Sequence, residues 1–156
     1  MRVFRSRRGT SMVEMAIAAP FLVFVLFAIA EFAVMEMVQS TLTRAAREGV
    51  RLAAAGLPPD TCEARCRSNA PRLADARFTV EFEYAPYVSA GVWSTSWTTL
   101  GTTSDGKANT APLNAKIRCT AQYTHKLLLS SVTGQVVQLS GPGETLMEAT
   151  ASMTRG

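Results

Sequence analysis

The chain is predicted to be α+β, with one long N-terminal helix packed on a small antiparallel sheet. Three observations predict it: an apolar run that opens the chain and passes into an amphipathic helical pattern, a Pro58-Pro59 stop, and a change of hydrophobic period from 3.6 to 2 beyond that stop. At 156 residues, with 47% apolar and 18% charged side chains, the chain can bury one modest core. Its formal charge of +4 is local. Arg2, Arg5, Arg7 and Arg8 are four of the sixteen basic residues, and the remaining twelve balance the twelve Asp and Glu. A basic surplus confined to the residues before a hydrophobic segment orients that segment in a membrane and does not point to nucleic acid.

The apolar stretch Met12 to Ala30 is interrupted only by Glu14 and is about 19 residues long, roughly 28 Å as a helix, enough to cross a bilayer core. Arginines before it and none within it predict a cytoplasmic N-terminus and an exported remainder. Pro20 removes one backbone bond in mid-span and is expected to kink the helix. Glu14 is the anomaly, because a lone carboxylate near hydrocarbon is costly. Two simpler readings compete here. One is a cleaved secretory signal ending at the small residues Ala28-Ile29-Ala30; the other is a plain membrane anchor. The helical pattern runs unbroken through the first one's cut, and the second leaves Glu14 unexplained.

From Val38 onward, Val38, Leu42, Ala45, Ala46, Gly49, Val50 and Ala53 form one stripe, with Ser40, Thr43, Arg44, Arg47, Glu48 and Arg51 opposite. Gly56 stands at a C-cap position and Arg51 near the negative end of the helix dipole. One helix from about Ser11 to Ala55 is therefore expected, and the small residues of its stripe would let a sheet approach closely. Asp60 followed by Glu63 suggests a capping box opening a short helix to about Asn69, with a Pro-flanked turn as the alternative.

Then "RFTVEFEY" alternates, with Phe78, Val80, Phe82 and Tyr84 on one side. "AKIRCTAQYT" does the same with Ile117, Cys119, Ala121 and Tyr123, and "LMEATASMT" with Met147, Ala149, Ala151 and Met153. "VWSTSWTTL" is a candidate fourth strand carrying Trp93 and Trp97 on one face, either as core or as an exposed partner surface. Gly101 to Thr110 reads as a polar loop.

The stretch from "RRGTSMVEMAIAAPFLVFVLFAIAEFA" through "AAREGVRLAA" resembles the TadE-like pseudopilins, minor pilins of tight-adherence (Flp, type IVc) pili. The likeness rests on a basic leader ending in Gly, a Glu five residues later, a proline-containing apolar helix ending in Glu-Phe, and an Ala-Ala-Arg-Glu-Gly segment. It covers Arg7 to Ala55 closely and the sheet only by strand pattern, and Met15 stands where many members carry Phe or another apolar residue. The resemblance implies a pilin-like fold divided into a cleaved leader (1–9), a transmembrane half-helix (10–37), an amphipathic half-helix (38–56) and a periplasmic head (57–156). It implies cleavage between Gly9 and Thr10 by a prepilin peptidase, a single-pass place in the bacterial inner membrane, and as partners other pilin subunits and an inner-membrane assembly platform. Glu14 would become the fifth residue of the mature chain, placed to pair with the new α-amino group or with that of the next subunit.

The rest of the sequence offers little chemistry. Gly101 to Lys107 approaches a phosphate-loop pattern, but Ala108 stands where Ser or Thr is required, so a surface turn is expected. His125 is the only histidine, too few for a His-based metal site or a Ser-His-Asp set, and is expected to be structural or solvated. No enzyme activity and no cofactor are expected. Glu31 and Glu36 read as solvated residues at the membrane edge, with a docking role as the alternative. Cys62, Cys66 and Cys119 would lie in an oxidising compartment; three thiols allow at most one internal bridge. Cys119 is expected to bridge to one of the helical pair, closing a loop worth roughly 4 kcal/mol, with a zinc site as the rival. The functional alternative to a pilus subunit is a secreted or anchored small β-domain that binds a surface ligand through its Trp-containing region.

Overall fold

The computed structural model describes residues 8–73, 76–126 and 144–156, so the leader arginines Arg2, Arg5 and Arg7 lie outside the described residues. Two helices, α1 (Arg8–Ala54) and α2 (Pro59–Asn69), precede the strands β1 (Phe78–Ala85), β2 (Tyr87–Ser89), β3 (Val92–Trp93), β4 (Thr98–Thr99), β5 (Lys116–Lys126) and β6 (Glu144–Thr154). The fold is thus α+β, as the change of period requires. Its main sheet has the order β4-β1-β5-β6 with antiparallel neighbours, and β2 and β3 form a separate ribbon.

The registers line the inward residues up in rows across the sheet. Phe82 faces Cys119, which faces Ala151; Val80 faces Ala121, which faces Ala149. Onto this face packs the stripe Val38, Leu42, Ala45, Ala46, Val50 and Ala53 of α1, and α2 closes the core through Cys62 and Cys66. The small residues permit the approach. A Cβ built on Gly49 would lie 2.5 Å from Cys66 Sγ, 3.1 Å from Cys119 Sγ and 3.2 Å from a ring carbon of Phe82, so only glycine fits where helix, helix and sheet meet.

Helix α1 ends in a Schellman arrangement: Gly56 N–H donates to Ala53 O at 3.0 Å and Leu57 N–H to Leu52 O at 3.3 Å, with Gly56 at φ +92°. Helix α2 begins differently from expectation. Its N-cap is Pro58, no side-chain cap is made, and the N–H groups of Thr61 and Cys62 donate instead to Pro58 O. Pro59 has a preset φ and no N–H to satisfy, so the first turn starts one residue before Asp60 without a capping box. Glu63 is left to accept from Arg67 Nε at 3.0 Å.

Two strand expectations need correction. "VWSTSWTTL" is not one strand: Val92–Trp93 turns back on β2, while Thr98–Thr99 pairs with β1. Trp93 and Trp97 consequently share no strand face, and both are half-buried rather than core. Lys116 Nζ lies 5.7 Å from the Trp93 ring centroid and Arg118 Cζ 4.1 Å from that of Trp97, so each ring is covered by a cation from the outer side of β5. Met153 stands in the inward row of β6 yet is 44% exposed, because β6 is an edge strand of the sheet and shelters its side chains on one flank only. The Gly101 to Lys107 segment is a surface turn, closed by Asp105, whose carboxylate accepts from Thr103 Oγ1 and from Lys107 N–H.

Candidate functional site on the apolar helix

Every residue from Ser11 to Ala30 is exposed, including the large side chains of Met12, Ile17, Phe21, Leu26 and Phe27. Twenty successive exposed residues, almost all apolar, are the pattern of a membrane-crossing helix or of a signal sequence. A span of this length, about 30 Å, matches a bilayer core, and α1 is long and apolar enough to cross one. Glu14 points outward from this bare stretch. Gly9 and Thr10 lie on the backbone of the same unbroken helix. Pro20 lies inside it as well, which leaves the carbonyl of Ala16 without its usual partner one turn on.

The bare stretch ends abruptly at Glu31. That side chain is 6% exposed, and its Oε1 lies 3.0 Å from His125 Nε2 near the end of β5. Glu31 is therefore not a solvated interface residue, whereas Glu36 is exposed as expected. The reason is geometric. Glu31 stands seven residues before Val38 and eleven before Leu42, so it occupies the same stripe, and Val34 fills the turn between. Extending the stripe backward by two turns would have found it. Further along, Gln39 Nε2 donates to Glu148 O of β6 at 3.0 Å.

At the other end of the dock stands a residue that sequence reasoning missed. Asn109 is 2% exposed; its Nδ2 donates to Ala53 O at 2.7 Å and to Leu57 O at 2.9 Å, and its backbone N–H to Gly56 O at 3.0 Å. One loop residue thus satisfies the carbonyls of Gly56 and Leu57 just past the end of α1 and adds a second donor to Ala53 O. Arg155 Nη1 donates in turn to Asn109 Oδ1 at 2.8 Å and also to Ala111 O, which sets a positive charge beside the negative end of the helix dipole. Nothing in the local sequence around Asn109 signals this role, since it depends on a loop closing 56 positions away.

The three cysteines, two of them one turn apart on α2 and the third in β5, are all buried in one core. Cys62 Sγ is turned to Leu57 O at 3.8 Å, and Cys66 Sγ to Ala45 O at 3.3 Å. The Cys119 thiol hydrogen-bonds Cys66, which lowers the Cys66 thiol from its ordinary value and raises that of Cys119, with burial adding to the rise. Burial pushes the Cys62 thiol up to about 11.

The arrangement is therefore a helix with two halves, one bare and apolar and one held on a head by a packed stripe, a carboxylate–imidazole contact and a capped end. No curated protein and no solved structure matches the chain. Residues 9–51, which run from the start of the bare half through most of the docked half, match the family model described as TadE-like protein.

Proposed function

We propose that the chain is a minor pilin or pseudopilin of a type IVc (Tad) pilus, structural rather than catalytic. It is made with residues 1–9 as a leader, cut between Gly9 and Thr10 by a prepilin peptidase, held in the bacterial inner membrane by α1 with its head on the periplasmic side, and passed to other pilin subunits through the assembly platform. The observation that carries this reading is the coincidence of the TadE-like match over 9–51 with a helix whose residues 11–30 are wholly exposed and whose sole charge there is Glu14.

The chemistry follows from that charge. Cleavage creates an α-amino group with a reference pKa of about 8, largely cationic at neutral pH. A carboxylate four residues on lies one helical turn away, and among packed helices it can face the amine of a neighbouring subunit. In a low dielectric such a pair attracts strongly, and either member alone is costly. Glu14 then sets the register at which one bare helix seats against the next, while the surrounding apolar side chains supply the contact area.

The test is the N-terminus of the mature protein together with two variants. Thr10 as first residue, loss of processing in Gly9→Leu, and normal processing but loss from sheared pili in Glu14→Ala are the expected results. A mature N-terminus at Met1 would make the protein a plain anchor, and one at Glu31 a secreted β-domain. Either would overturn the reading, as would normal incorporation of Glu14→Ala into pili.

A further inference from the structure

We propose that Cys66 and Cys119 are the site of a disulfide formed as the head is exported, and that Cys62 remains a reduced, buried thiol. The proposal rests on the export reading above, since only an oxidising compartment preserves such a bond. Three independent features of the core point to this pair. First, both sulfurs lie against one gap: a Cβ on Gly49 would sit 2.5 Å from Cys66 Sγ and 3.1 Å from Cys119 Sγ, so the glycine leaves open the space in which they meet. Second, Cys66 turns its sulfur into the core, where it donates to Ala45 O of α1 at 3.3 Å, whereas Cys62 Sγ is turned to Leu57 O, just before α2, at 3.8 Å. Third, Cys119 sits in the middle of β5, between Phe82 and Ala151, so it is held in place by two ladders and α2 brings Cys66 to it.

Cys62 and Cys66 share a face of α2 one turn apart, which makes the bridge between them the sequence-local rival. Within a regular helix their Cα–Cβ bonds are nearly parallel, a poor orientation for mutual bonding. The bond between Cys66 and Cys119 instead joins α2 to the central region of the sheet across about 50 residues, and so constrains the unfolded chain far more.

The reaction is thiol–disulfide exchange with a disulfide-bearing oxidoreductase. The Cys66 sulfur, deprotonated, attacks one sulfur of the oxidant's disulfide, forming a mixed disulfide and releasing one oxidant thiolate. Docking of α2 then presents Cys119, whose thiolate attacks the Cys66 sulfur and expels the second oxidant sulfur. Two thiol protons are released from the protein, and two electrons reduce the oxidant to its dithiol. Because both sulfurs are fully buried once the head is folded, the exchange belongs to folding and the finished bond is shielded from reductants.

The experiment is non-reducing peptide mapping of the full chain from membranes, after alkylation in denaturant, alongside Ser104→Cys labelled in intact cells stripped of their outer membrane with a maleimide that cannot cross the inner membrane. Ser104 is exposed on the surface turn, so its labelling reports export of the head independently of the buried thiols. The expected results are a Cys66–Cys119 peptide, alkylated Cys62, the bond retained in Cys62→Ser, and a thermal midpoint about 15 °C lower after reduction. With Ser104→Cys labelled, three alkylated native cysteines or any bridge through Cys62 overturns the proposal. If Ser104→Cys is not labelled, the export reading has failed. The pairing is then decided on the full chain refolded in detergent with oxidised and reduced glutathione, where the same peptide supports it and its absence refutes it.

Discussion

Residues 11–30 and residues 31–54 belong to one uninterrupted helix, yet the first stretch is exposed at every position while the second buries a stripe at helical spacing. The bare half carries its bulk all round, with Met, Ile, Leu, Val and Phe on every side. The docked half puts Leu42, Val38 and Val50 among Ala45, Ala46, Gly49 and Ala53. A helix that will be surrounded by lipid tails or other helices can present large side chains in all directions. One that must lie flat on a sheet needs small residues wherever its backbone comes close, and here a methyl group at position 49 would collide with Cys66 Sγ of α2 and press on Cys119 Sγ of the sheet.

Leu42→Ala should give the largest break in this contrast. Leu42 is 0% exposed at the centre of the dock, and its truncation should cost the head about 3 kcal/mol through lost transfer energy and a cavity. Denaturant unfolding followed by the fluorescence of Trp93 and Trp97, both in the head, reads it directly.

Gly49→Ala sharpens the contrast, because two effects oppose each other. Alanine should favour the helix by about 1 kcal/mol, while overpacking against Cys66, Cys119 and Phe82 should cost about 2–3 kcal/mol. A net loss of about 1–2 kcal/mol is expected in the same unfolding measurement. A stabilised variant would mean that the core yields where the contact distances say it does not.

Leu22→Ala should have the smallest effect. Leu22 is 61% exposed on the bare half, so the stability of the head should move by less than about 0.5 kcal/mol. The same leucine truncation at 42 and at 22 thus separates what the head needs from what the bare half contributes.

Much of this molecule was legible in its residues. The bare half, the stripe from Val38 to Ala53, the Gly56 stop and the inward rows of β1 and β5 each follow from a local period or a single conformational demand, and such signals survive without knowledge of the fold. The misses have different causes. The start of α2 was misplaced because a proline ring outweighed a polar capping pair, a competition settled within one turn. The tryptophan segment was read as a strand from alternation alone, while its two ends pair with different strands.

What the sequence by itself determined is therefore the division of the chain: an apolar span with one acid near its start, a helix that changes character near its middle, and a sheet built on alternating strands. Periodicity and turn chemistry are local, so they are written in consecutive residues. What only the tertiary structure decided are the meetings of distant residues: Glu31 with His125, Asn109 with the end of α1 and with Arg155, and Cys66 with Cys119 over Gly49. Each joins positions separated by dozens of residues. Which polar group finds which partner depends on how the layers close, and burial then makes that choice matter by removing water as the alternative.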